Sequence, residues 1–132
     1  WESEALYTEA FRSSCMLRIP AIYGPGRGVG VSMKRGSYRM IGDGSRWTNR
    51  VHVVDLARTI TALLFRSPAE PLPPVLCVSD GAPATAREVT DYYRERFGFS
   101  EPPSVTEAEA VAAGMYTQTG NQRVANRLLA RY

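Results

Sequence analysis

Apolar residues recur near helical spacing at the start of the chain, where Ala5, Leu6, Ala10 and Phe11 share a face and Glu2, Glu4 and Glu9 add acid. This predicts a helix over Ser3–Phe11. The pattern then changes to a short apolar run, Cys15-Met16-Leu17-Arg18-Ile19, stopped by Pro20, which cannot donate to a central ladder. That run predicts a buried strand, parallel to neighbours outside this chain. Alternating glycines in Tyr23-Gly24-Pro25-Gly26-Arg27-Gly28-Val29-Gly30 mark an irregular loop, followed by a short helix to Arg35. A strand is expected between Tyr38 and Ile41, a turn at Gly42-Asp43-Gly44-Ser45, and an extended stretch from Arg46 to Val54. Asp55 fits an N-cap for a helix striped by Leu56, Ile60, Leu63 and Leu64 and ending near Phe65. After a Pro-rich connection, Ser67 to Pro74, a second buried strand covers Val75 to Val78. Thr85 and Glu88 have capping-box spacing, Val89, Tyr93 and Phe97 line one face, and Gly98 stands at the usual C′ position. Thr106 and Glu109 repeat the box with Gly114 as the stop, and a last helix is expected from Asn126 to Tyr132.

This alternation predicts an α/β fold with about five helices and few short strands, too few for a doubly wound sheet. At 132 residues and 44% hydrophobic content, one domain over 1–132 is the prior. The chain opens on Trp1 rather than Met, which predicts a segment of a longer reading frame. The net charge of +3 comes from scattered residues rather than a basic patch with interleaved aromatics, which argues against nucleic-acid binding. No apolar run approaches the roughly 20 residues that span a bilayer, and the first residues lack a signal-peptide pattern, so no membrane association and a cytoplasmic location are expected. Cys15 and Cys77 sit in apolar runs, where reduced core thiols are usual.

The glycines at 24, 26, 28 and 30 do not make a dinucleotide fingerprint, because Gly-x-Gly-x-x-Gly needs glycine where Val29, Val31 or Met33 stands. The segment is read either as a connecting loop or as a ligand-contacting one. A Tyr-x-x-x-Lys pair, in which the ammonium lowers the phenol pKa, is absent, because Gly30 stands four residues before the one lysine, Lys34. With His52 as the one histidine, neither a zinc site nor a Cys/His relay is expected, and no catalytic or metal-ligating residue is assigned. Period-two geometry puts Arg50, His52 and Val54 on one face of the extended stretch. A cation donor beside an imidazole could hold an anionic or polar group, or His52 could be purely structural. Asp55 is open between a cap and a catalytic role, with the cap favoured.

Three segments together resemble the C-terminal half of extended or atypical short-chain dehydrogenase/reductases, the NAD-dependent epimerase/dehydratase family. They are Leu17-Arg18-Ile19-Pro20-Ala21-Ile22-Tyr23-Gly24-Pro25-Gly26-Arg27, Asn49-Arg50-Val51-His52-Val53-Val54-Asp55-Leu56-Ala57 and Val75-Leu76-Cys77-Val78-Ser79-Asp80-Gly81. The resemblance implies the substrate-side portion of a Rossmann-type enzyme whose N-terminal half binds NAD or NADP and carries the Tyr-x-x-x-Lys dyad. That half lies upstream of Trp1 on this reading. Pro20, Ile22 and Tyr23 would lie near the nicotinamide, largely through backbone. Arg27 would lie near the substrate, beside the Arg50 and His52 read from the strand pattern. Thr48 and Asn49 stand where nucleotide-sugar members often carry Arg and Asp, so the chain departs from that substrate pattern.

The function expected is therefore part of an NAD(P)-dependent oxidoreductase or epimerase acting on a small molecule, inactive alone and binding no cofactor alone. The rival expectation is a standalone ligand-binding or oligomerisation module. A homodimer is expected in either case, because apolar strands with open edges favour a partner.

Overall fold

A computed structural model describes residues 2–10, 14–66, 71–115 and 119–129. The first helix, α1, spans Glu2–Ala10, and β1 follows at Met16–Arg18. Pro20 does not end the extended chain as its missing N–H suggested. Instead it separates β1 from a second strand, β2, at Ala21–Tyr23. After the glycine loop come α2, Val29–Lys34, β3, Met40–Ile41, β4, Trp47–Thr48, and β5, Arg50–His52. The next helix, α3, spans Val53–Phe65, and β6, Val75–Cys77, and β7, Ala84–Thr85, lead into α4, Ala86–Phe97. The short β8, Ser104–Val105, and α5, Glu107–Ala112, complete the named elements. Five helices among the described residues agree with the sequence reading. The strands are more numerous than the pattern suggested, because several are two residues long and offer no periodicity to detect.

Four two-stranded pairs result. β1 runs parallel to β6, with Leu17 opposite Leu76, so one of its neighbours lies within this chain. β2 runs parallel to β5, β3 runs parallel to β8, and β4 is antiparallel to β7. Parallel strands need a crossover, and α3 lies within the connections that carry the chain from β1 to β6. The core sits where the first two pairs meet α3: Val51, Leu56 and Val78 are buried together, with Leu17, Ile22 and Leu129 packed against them.

Helix α3 begins three residues earlier than its pattern indicated. His52 is the N-cap, with Nδ1 accepting from the Val54 N–H at 3.3 Å, so Val53 and Val54 are helical and Asp55 lies in the first turn. The expected Asp55 cap is thus displaced onto His52, and Val54 leaves the strand face shared by Arg50 and His52. Of the predicted stripe only Leu56 is buried, while Leu64 and Phe65 are 74% and 85% exposed. Both capping boxes form, on Thr85 with Glu88 and on Thr106 with Glu109, and Gly98 closes α4 at φ 68°. α2 approaches α4 so closely that a Cβ at Gly30 would collide with the Tyr93 ring.

The last helix expected does not appear among the described residues. Residues 119–126 form an irregular strap over β4 and β5, and a turn closes with the Leu129 N–H on the Asn126 carbonyl at 2.9 Å. Phe11, much of the Pro-rich connection and residues 130–132 lie outside the described residues. Cys15 and Cys77 are free thiols, and burial pushes the Cys15 pKa up.

The capping carboxylates make helix stability pH-dependent. Hydrogen bonds from the backbone N–H of Thr85 and of Thr106, and then from their hydroxyls, hold Glu88 and Glu109 below the ordinary value of 4.5. A depressed pKa contributes stability that is present above the unfolded value and lost as pH falls through the folded one. Urea unfolding should therefore show a midpoint that falls below about pH 4.5. Thr85→Ala should lower stability by about 1 kcal/mol near neutrality, as usual for a lost N-cap, and flatten the acid limb.

Candidate functional site

The register of β2 on β5 sets Ala21 opposite Arg50, Ile22 opposite Val51 and Tyr23 opposite His52. Side chains alternate across a strand, so Ile22 and Val51 turn into the core while Ala21, Tyr23, Arg50 and His52 share the other face. Two stretches 29 positions apart in the chain are thereby brought together. The Tyr23 and His52 rings meet edge to face with centroids 5.1 Å apart. Because the His52 cap uses Nδ1, Nε2 is the ring nitrogen left for a ligand. A Cβ at Gly24 would stand 3.5 Å from Nε2 and 2.7 Å from Val53 Cγ1, so glycine there keeps the approach to the imidazole open.

Arg50 is half-buried, and its Nη2 donates to Thr48 Oγ1 at 3.1 Å. Thr48 in turn donates its hydroxyl proton to the Ala84 carbonyl at 2.9 Å, which fixes the acceptor lone pair. The Asp80 N–H donates to the Arg50 carbonyl at 2.9 Å, tying the segment after β6 to the same strand. Burial raises the Tyr23 pKa, with the Asp80 charge adding to it and Arg50 opposing it. Burial also raises that of Tyr38, opposed by a hydrogen bond with Thr90 and by Arg50. Both phenols are therefore protonated donors at neutral pH.

Of the residues singled out in the sequence, Tyr23, Arg50 and His52 come together. Ile22 faces the core, so only its backbone is available on the site side, and Pro20 is half-buried at the junction of β1 and β2. Arg27 does not join the group by any bond: its backbone pairs with Gly24 at 3.1 Å in both directions, and its exposed side chain makes no hydrogen bond or ion pair among the described residues. Thr48 was noted only as a departure from the nucleotide-sugar pattern, although period two also places it on the Arg50 face, and Tyr38 and Asp80 were missed as site residues. The signal of these last two is tertiary.

Asn49, which stands where an acid is frequent in nucleotide-sugar members, has a structural task. Its Nδ2 donates to the Gln122 carbonyl at 2.6 Å, and its Oδ1 accepts from the Val124 N–H at 2.8 Å. The Trp47 N–H donates to Asn121 Oδ1 at 2.9 Å, and the Arg123 guanidinium lies 4.5 Å from the Trp47 ring centroid. This arrangement can bind and orient a ligand through cationic, phenolic and imidazole donors. Among the described residues no cluster of His, Cys, Asp or Glu is arranged to hold a metal ion.

No family model and no curated protein matches the chain. Solved structures do. A conserved protein of unknown function from Silicibacter pomeroyi is 31% identical over 89% of this chain and 41% of its own, with a TM-score of 0.66. A human epimerase family protein, solved with NADPH, is 21% identical over 89% of this chain and 41% of its own, at 0.69. The UDP-glucose 4-epimerase of Thermotoga maritima, solved with UDP-glucose, is 24% identical over 80% of this chain and 38% of its own, at 0.60. The fold is that of the NAD-dependent epimerases and dehydratases. The chain spans about two fifths of the length of these three structures, consistent with a C-terminal portion of an epimerase/dehydratase. Within an epimerase/dehydratase fold, the shared face of β2 and β5 is the candidate site.

His52 serves both a helix and this face, and two substitutions separate the roles. Asn is among the best N-cap residues. His52→Asn should therefore keep the thermal midpoint close to the parent value, whereas His52→Ala should lower stability by about 0.5–2 kcal/mol in urea titration. Equal losses for both variants would show that the ring contact with Tyr23, not the cap, is what the fold requires.

Proposed function

We propose that this chain is the substrate-side portion of an NAD(P)-dependent oxidoreductase or epimerase, one domain over 1–132 that does not turn over alone. The observation that carries this reading is the convergence of Tyr23, Arg50 and His52 on one face of a parallel strand pair, in a chain whose fold is shared with NAD-dependent epimerases and dehydratases. Pro20, Ile22 and Tyr23 fit only the nicotinamide end of the cofactor, since no glycine fingerprint for its phosphates is present. When bound by the longer protein, NAD or NADP would supply the hydride acceptor. Tyr23 would donate through its phenol, and Gly24 would leave room beside His52. Arg50 and His52 Nε2 would bind and orient the small-molecule substrate, with Arg27 at the exposed rim. No lysine stands within a helical turn of Tyr23, and its pKa is raised rather than lowered, so Tyr23 is a binding donor and not the proton-transfer phenol.

No described helix is long and apolar enough to cross a membrane. A cytoplasmic location, without nucleic-acid or membrane partners, remains part of this proposal. The reading is tested in a longer protein that includes the sequence upstream of Trp1. There, Arg50→Ala should raise the KM for substrate at least about tenfold while changing that for NAD(P) little, as when an anchoring charge-assisted bond is removed. An equal rise for both, with a lowered Tm, would place Arg50 in the scaffold instead.

The second reading, a binding or oligomerisation module, is favoured by the outer face of α3. Val53, Val54, Ala57, Arg58, Thr61 and Ala62 line an open groove of about 550 Å³, and Leu64 and Phe65 stand exposed beyond it. Apolar surface of that kind is stabilised by about 25 cal/mol per Å² when covered. A homodimer using this face should dissociate on dilution in light scattering, and Leu64→Glu should give a monomer at every concentration. A parent chain that is monomeric throughout would remove dimerisation from both readings.

A further inference from the structure

Resting on the reading that the face of β2 and β5 meets a substrate, we propose that Arg50, braced by Thr48, is the anchor for an oxyanion of that substrate, a carboxylate or a phosphate group. The argument begins with how this chain treats its arginines. Arg18, Arg46, Arg87 and Arg94 are half-buried and each faces a carboxylate: Glu4 at 2.6 Å, Glu107 at 2.5 Å, Glu101 at 2.6 Å, and Glu101 at 2.9 Å with Asp91 at 3.0 Å. Arg39, also half-buried, donates to the Gly36 and Tyr38 carbonyls at 2.8 and 2.9 Å. Arg50 has one neutral hydroxyl and, among the described residues, no ion pair. The carboxylate of Glu88 feels its charge, but that carboxylate is committed to the α4 cap through Oε2, which accepts from the Thr85 N–H at 2.6 Å and hydroxyl at 3.0 Å.

A cation partly withdrawn from water and paired directly with no carboxylate is costly to keep. The cost is offset if a ligand brings a negative charge into contact with it. A guanidinium is suited to this, because its planar fork matches the two oxygens of a carboxylate or phosphate. One arm is already held by Thr48, whose own proton is directed to the Ala84 carbonyl, so the remaining N–H groups are held in a defined orientation before a ligand arrives. Tyr23, on the same strand face opposite His52, adds a neutral phenol donor beside this guanidinium. Thr48 is on this account a positioning residue.

The test uses the full chain, with inorganic phosphate and with malonate as separate probes at ionic strength matched with chloride. Either probe should raise Tm saturably, and backbone amide shifts in the parent chain should move at 48–52 rather than at Arg96, an exposed arginine on α4. Arg50→Gln should weaken the apparent affinity at least about tenfold, the usual consequence of losing a charge-assisted bond. Arg50→Lys should keep part of the binding but lose the geometric preference, and Arg96→Gln should change nothing. A stronger response to phosphate assigns a phosphate group, and a stronger response to malonate assigns a carboxylate. No saturable response to either probe, amide shifts elsewhere, or an undiminished response in Arg50→Gln would overturn the proposal. Because these measurements need no dinucleotide, they can fail while NAD(P) turnover by the longer protein stands, and they can succeed where it does not.

Discussion

Parallel strands cannot be joined by a tight turn, so the pairing of β2 with β5 obliges the chain to travel through α2, β3 and β4 before it returns. Everything at the candidate site follows from that pairing. Its register buries Ile22 and Val51 against Leu56 and Val78, and the alternation of the strands then leaves no choice about where Tyr23, Arg50 and His52 go. A slip of one residue would exchange the two sets, placing a guanidinium in the core and an isoleucine in the cleft. The hydrophobic contact on one side thus holds the polar arrangement on the other.

What could be read from the sequence was local. The two capping boxes and Gly98 were legible because their partners lie three residues apart or within one turn, and the structure forms them as the spacing implies. The shared face of Arg50 and His52 was legible from period two alone. β2 was hidden because Pro20 is the same signal whether a strand ends for good or pauses between two strands. The shift of the α3 cap from Asp55 to His52 has a comparable origin: both residues can accept an N–H in a first turn, and the tertiary pairing of β5 with β2 decides which backbone is still extended. Thr48 falls on the face of Arg50 and His52 by the same period, while Tyr38 and Asp80 carried no local mark.

The same limit explains Asn49. Its position suggested a departure from a substrate pattern, yet its amide faces the final stretch of chain and matches one carbonyl and one N–H there as a neighbouring strand would. Arg46, Trp47 and Asn49 all bind this stretch, while Thr48 between them faces Ala84 and Arg50. One short segment therefore serves the strap with some of its residues and the site with another.

That strap gives the molecule an order of assembly. The bonds from Arg46 and Asn49 to Thr119, Gln122 and Val124 cross 73 to 75 positions of sequence. Contacts of such separation form late, because the loop between them must close before they return any free energy. During synthesis the stretch leading into Arg50 and His52 emerges before residues 119–124, and its bonds to them wait until those residues have left the ribosome. The stretch leading into the site-bearing strand is thus secured by residues made long after it.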